Sequence, residues 1–252
     1  METITRINGA PKMAVPPHST SEVKLYPPVL IVGRSGTGKS TSIRNLPCDS
    51  TIIVNTEKKV LPFKSAKNFK MQVSPKYFAP MGWSPLNPEL ALDSSSFVYN
   101  WFRALQSKAD FLVLESWTST TEMIDDWANK CFSGFDQWKN YNAAIMWLVH
   151  SMKQANKQLF VIGIEEWITL DDGTSERHLA VKGKQHRGMI EKEFSIVLWT
   201  DVQMHDGKPI FHFRTTTDGE RPCKAPHEMF NDILIPNDLL EVNKAIRAYY
   251  DE

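Results

Sequence analysis

Residues 29–40 read VLIVGRSGTGKS, an apolar run that ends in glycine and opens into a glycine-rich turn. The last eight residues fit the spacing G-x-x-x-x-G-K-[ST], with Gly33, Gly38, Lys39 and Ser40 at the defining positions. Each residue type has a physical reason to be there. Glycines let the backbone turn and point successive N–H groups at one anion, and a helix that follows adds its positive end. Arg34, Ser35, Gly36 and Thr37 complete such a cradle. Lys39 would reach the β- and γ-phosphates of ATP, the Ser40 hydroxyl would ligate Mg²⁺, and Thr41 would touch the α-phosphate. Average composition gives such a match by chance in about 1% of chains this long. The turn needs a buried strand before it and a helix after it, so it commits the chain to an α/β fold.

The rest of the chain agrees with that commitment. VLIVG (29–33), TIIVNTE (51–57), FLVLE (111–115) and LFVIGIE (159–165) are short apolar runs of the kind buried in parallel sheets. A helix is expected from Lys39 to Leu46, stopped by Pro47. Helical faces carry Phe97, Trp101 and Leu105, then Met123, Ile124 and Trp127, then Trp138, Tyr141, Ile145, Leu148 and Met152. Residues 60–93 hold five prolines and read as a surface excursion, with a strand near Phe69–Val73. After Trp167 come a turn at Asp171–Asp172–Gly173, strands at 194–202 and 209–215, and a closing helix at 237–250. The expected architecture is a mostly parallel twisted sheet with helices on both faces and antiparallel strands added near the C-terminus. Residues 1–24, polar and without periodicity, read as a flexible arm, and 25–252 as one domain.

Bulk properties exclude some classes. No run approaches the ~20 apolar residues that cross a bilayer, and the N-terminus lacks the apolar stretch of a secretion signal. Three cysteines, Cys48, Cys131 and Cys223, stand far apart in neither disulfide nor zinc-ligand spacing, which points to a reducing, cytoplasmic setting. Basic and acidic residues balance at 29 each, which argues against constant, tight binding of nucleic acid by a lone protomer.

Two acids sit where phosphate chemistry needs them. Glu57 ends the second strand, at the sheet edge where ligands bind in open α/β folds. It is either a base for the water that attacks the γ-phosphate or a solvated member of the Glu57-Lys58-Lys59 cluster. Glu115 ends FLVLE and is the candidate metal-side acid, a position where aspartate is usual. Asp110 precedes that strand and belongs to the opposite edge.

With these residues placed, the chain resembles the RecA-like ATPases, and most closely a phage-encoded branch that includes single-strand-annealing recombination proteins. The resemblance rests on GRSGTGKST, VNTEKKVLP, FLVLESWTS and VIGIEEW, in that order, with weaker likeness in GKQHRGMIEKEFSIVL, FRTTTDGERPCKAP and IPNDLLEV. It implies a RecA-like P-loop core that binds ATP and Mg²⁺ and hydrolyses ATP, stimulated by single-stranded DNA, in the host cytoplasm if phage-encoded. By it, Glu57 takes the catalytic-glutamate role and Glu115 the metal-side role. Glu165 stands where the family has a γ-phosphate sensor but departs from the usual amide or histidine, and a helix-capping or loop-anchoring role is the expectation. Trp167–Met189 would be a mobile DNA-touching loop carrying Arg177, His178, Lys182, Lys184, His186 and Arg187, with Trp167 expected in the core. The resemblance further implies a filament or ring in which a neighbour's cation completes each ATP site, with Lys224 as first candidate and Arg221 and Arg214 behind it.

Two other classes compete. A nucleotide or small-molecule kinase also needs a phosphate loop, but kinases usually carry an arginine-rich lid, and residues 60–93 contain no arginine. A nucleotide-gated binding module with weak hydrolysis is the third reading, prompted by Glu115 and Glu165.

Overall fold

The computed structural model describes residues 26–85, 93–169, 172–183 and 186–251, so the expected arm at 1–24 lies outside the described residues. The apolar runs become strands of one sheet: β1 (Val29–Gly33), β2 (Thr51–Asn55), β3 (Gln72–Val73), β4 (Phe111–Glu115), β5 (Gln158–Thr169), β6 (Ser175–Leu179), β7 (Ile196–His205), β8 (Lys208–Arg214) and β9 (Leu234–Pro236). Their order is β3-β2-β4-β5-β1-β7-β8-β9, with β6 paired to β5 alone. From β3 across to β7 every pair is parallel, and β8 and β9 are antiparallel additions. This is the expected α/β class.

Alternation along each strand feeds two cores. Leu30, Val32, Val54, Leu112, Leu114, Val161 and Val197 face one side. There α1 (Phe97–Gln106), α2 (Trp117–Cys131) and α3 (Gly134–Lys153) cover them with Trp101, Trp117, Trp127, Tyr141 and Leu148. Ile31, Ile53, Val113, Ile162 and Leu198 face the other side, under Ile43, Leu46 and α4 (Leu239–Asp251). Helices therefore lie on both faces, because parallel strands buried on both sides require two covers.

Parallel pairing sets the C-terminal strand ends side by side. Gly33 is in register with Ile164, Glu115 with Ile162, and Asn55 with Glu115. The loop after β1, the turn after β2 and the start of α2 thus converge at one sheet edge. No helix among the described residues is long and apolar enough to cross a membrane.

Three expectations are corrected. The helix at 39–46 is a 3-10 turn over Ser40–Asn45. Serine and threonine compete with helical bonding there, as Ser42 Oγ does by donating to Lys39 O at 2.5 Å, and Pro47 blocks extension. The strand near Phe69–Val73 shrinks to the two residues of β3 at the sheet border. Finally, β5 does not stop at Glu165 but continues to Thr169 and pairs antiparallel with β6, so much of the expected mobile loop is a β-ribbon. Within it Trp167 is not core: it is 47% exposed, with the Arg177 guanidinium 4.4 Å from its ring centre.

Candidate functional site

The glycine-rich loop owes its shape to two backbone positions and one close approach. Gly36 and Gly38 hold φ of +78° and +90°, a region in which side chains are strained. Gly33 meets β7 so closely that a Cβ there would lie 1.7 Å from Thr200 Oγ1. Thr37 Oγ1 donates to Arg34 O at 2.7 Å and lies 2.6 Å from Thr200 Oγ1, tying the loop to β7. Lys39 Nζ donates to Gly33 O at 2.8 Å and Arg34 O at 2.6 Å, at the throat of the turn. Burial pushes this ammonium's pKa down, against the pull of Glu115, Glu57 and Glu165. The charges of three carboxylates therefore act on one lysine.

Ser40 Oγ donates to Glu115 Oε1 at 2.8 Å. The Glu115 carboxyl is 5% exposed, and its Oε2 has no hydrogen-bond partner among the described residues. Burial raises its pKa to about 7, offset by the Ser40 bond and reinforced by the nearby Glu57 charge. A buried carboxylate oxygen without a partner, beside a serine hydroxyl, is the hard-oxygen donor set that suits Mg²⁺. The residues present fit that ion.

Glu57 is presented by a turn closed on Asn55. The Asn55 amide donates to Lys59 O at 2.8 Å and its Oδ1 accepts from Lys58 N at 2.9 Å. Glu57 Oε1 accepts from Ser116 Oγ at 3.0 Å, and Oε2 pairs with Lys59 Nζ at 2.8 Å. Burial pushes the Glu57 carboxyl up, but the bonds from Lys59 and Ser116 outweigh it and the pKa is lowered. The two acids thus differ: Glu57 stays ionised at neutral pH and Glu115 is poised near it. Thr56 fixes their spacing, since its Oγ1 donates to Ser116 O at 2.9 Å and accepts from Ser116 N at 3.0 Å.

Glu165 is tied into the scaffold. Its carboxylate, 4% exposed, accepts from Arg34 Nε at 2.9 Å, Trp199 Nε1 at 2.6 Å and Arg177 Nη1 at 3.3 Å. It binds the phosphate loop to β7 and to the β5–β6 ribbon. The basic groups of the ribbon and the segment after it are met by acids: Arg177 by Glu165 and Glu220, His178 by Glu176 and Glu191, Lys182 by Asp125, and Arg187 by Glu166. His186 is buried against Asn142, and Lys184 lies outside the described residues. Arg214 and Arg221 are engaged on Asp201 and Asp218. Lys224 sits on β7 through a bridge to Val197, away from this chain's own cleft.

These parts line one cleft of about 680 Å³. Ser35, Gly36, Gly38, Lys39, Ser40, Thr41, Glu57 and Glu115 all border it, whereas Gly33, Arg34 and Thr37 stand behind as supports. Sequence reasoning missed Arg44, Asn55, Phe211 and Asn237, which also line it. The alternation of PIFHFR held a signal, since Phe211 and Phe213 must share a face, but strand order alone brings that face to the loop.

A glycine-rich loop on the central strand, with a lysine in its throat and two strand-end acids across a cleft, defines a P-loop nucleotide-binding domain. A family model described as AAA domain matches residues 26–228, and the chain belongs to that family. In general class it is a P-loop ATPase domain. Among solved structures it is similar to the flagellar accessory protein FlaH from Methanocaldococcus jannaschii, at 13% identity over 75% of this chain and 78% of that one, with a TM-score of 0.40. A KaiC-like protein from Pyrococcus horikoshii OT3 is 14% identical over 83% and 88% of the two chains, with a TM-score of 0.41. The RadB recombinase is 14% identical over 75% and 81%, again at 0.41. No curated protein matches.

Proposed function

We propose that residues 25–252 form one ATPase domain that hydrolyses ATP with Mg²⁺ while acting on single-stranded DNA as a RecA-like, phage-type recombination, annealing or replication protein. The observation that carries the ATPase part is the meeting of Lys39, the Ser40–Glu115 pair and Glu57 in one cleft. In this reading Gly33 to Thr41 hold the phosphates, Ser40 and Glu115 hold Mg²⁺, and Glu57 takes the proton of the attacking water. When bound, the metal would neutralise charge on the polyphosphate. Assembly into a filament or ring would bring a neighbour's Lys224 to each site.

Support for the DNA part comes from the ordered motifs that resemble the phage branch. The test is phosphate release with and without single-stranded DNA, together with electron-microscope images of the assembly. An ATPase rate indifferent to DNA, from a protein that stays monomeric, would sink that part and leave the nucleotide site standing.

A nucleotide-gated module that hydrolyses weakly is favoured by one observation, the Lys59–Glu57 ion pair, which lowers the basicity of the proposed base. It would show as ATP binding without turnover. The metal assignment has its own check. Glu115→Gln keeps the Ser40 bond but removes the charge, so Mg²⁺-dependent nucleotide affinity is expected to fall by about 10–100-fold. Unchanged magnesium dependence in a titration would take Glu115 out of the metal site.

A further inference from the structure

We infer that the end of the cleft between β8 and residues 236–238 is a nucleobase subsite, where Phe211 stacks on a purine and the Asn237 amide hydrogen-bonds its edge. This rests on reading the cleft as an ATP site and names the part of the ligand that the phosphate loop does not.

The first observation is an aromatic ring left half uncovered at the cleft. Phe213 and Phe211 share one face of β8. Phe213 is fully buried in the core beside Ile43, whereas Phe211 is 37% exposed and borders the cleft. Its ring edge lies against the phosphate loop, since a Cβ at Gly38 would sit 3.0 Å from Phe211 Cδ1. Burial of this ring against a flat partner would complete a packing that the fold leaves open.

The second observation is independent and polar. Asn237 is 4% exposed and lines the same cleft, yet its side-chain Nδ2 has no hydrogen-bond partner among the described residues. A buried donor without an acceptor is costly, and native folds rarely keep one without a use. Nor is the residue loosely held. Asn237 N donates to Phe211 O at 3.3 Å, and Asn237 O accepts from Arg44 Nη1 at 2.8 Å. The same Arg44 nitrogen donates to Thr41 O at 3.1 Å, pinning the Asn237 backbone to the turn that follows the phosphate loop.

Position along the cleft decides which part of a nucleotide reaches these groups. Arg44 Nη1 joins Thr41 O to Asn237 O, and Asn237 N bonds Phe211 O, so both groups stand beside the residue that the motif assigns to the α-phosphate, from which the sugar and base extend. A ring that stacks and a carboxamide that offers donor and acceptor together match a purine, because Asn pairs with the N6/N7 edge of adenine. Cytosine can also pair with an amide, through N3 and N4, but its single ring offers less surface to Phe211 and it has no N6/N7 edge.

The test titrates the full chain, with Mg²⁺, against ATP, CTP and inorganic tripolyphosphate, which has no base. Wild type is expected to bind ATP more tightly than CTP or tripolyphosphate. Phe211→Ala is expected to weaken ATP by about 5–150-fold, the range for one base–aromatic stack, and leave tripolyphosphate unchanged. Phe211→Trp restores ATP affinity by restoring a stacking face. Asn237→Ser removes the amide and narrows the ATP-over-CTP preference. Equal wild-type affinity for all three ligands overturns the inference and leaves the phosphate site intact. So does an equal loss of ATP and tripolyphosphate in Phe211→Ala, which would make the ring a support for the loop. Failure of wild type to bind either ATP or tripolyphosphate ends the ATP-site reading and the subsite with it.

Discussion

Lys39→Ala is expected to lower ATP turnover on the order of 10²–10³-fold, the cost of removing one charged donor aimed at developing charge in a dry site. The lysine earns this weight by placement. Two of its three N–H bonds are anchored on Gly33 O and Arg34 O, so the ammonium is held in the throat of the turn, and the third can address a phosphate. It is also a buried cation on which the charges of Glu115, Glu57 and Glu165 act, and Glu115 has no other cation paired to it among the described residues. Steady-state phosphate release measures the loss, and circular dichroism checks that the variant is folded. A folded Lys39→Ala protein with near wild-type turnover would place the phosphates somewhere else.

Glu57→Gln separates binding from chemistry. Glutamine has the same shape and still accepts the Ser116 hydroxyl, so ATP affinity is expected to persist. It cannot take a proton, and hydrolysis is expected to fall about 10²–10⁴-fold, the contribution of a positioned general base. Depression of its pKa by Lys59 and Ser116 keeps Glu57 ionised at neutral pH, the state a base requires. Single-turnover hydrolysis beside equilibrium ATP binding reads the two effects apart. Normal hydrolysis by the variant would return Glu57 to the role of a solvated partner of Lys59.

The phosphate loop was legible in the sequence because its chemistry is carried by consecutive residues. Gly36 and Gly38 take the positive φ that only their position in the motif demands, and Lys39 and Ser40 follow by chain connectivity. Strands β1, β2, β4 and β5 were legible as apolar runs, because a strand buried on both faces has no polar side to show. Glu165 illustrates the limit. Its place in the chain was readable and a helix-capping or loop-anchoring role was the expectation, but the partners that decide for anchoring, Arg34, Arg177 and Trp199, are up to 131 residues away. Trp167 was misjudged because a tryptophan after a strand is usually core, whereas β5 runs on into a two-stranded ribbon with a solvent-facing side.

By itself the sequence determined that a strand, a glycine turn and a lysine would form an anion cradle within an α/β sheet, since those preferences act between near neighbours. Tertiary structure decided what surrounds the cradle. The order β2-β4-β5-β1-β7-β8-β9 sets Glu115 against Ser40, Thr200 against Gly33, and Phe211 with Asn237 against Gly38. Such meetings depend on which strand lies beside which, and that choice is made by burying two apolar faces under helices, a property of the whole chain and of no short segment.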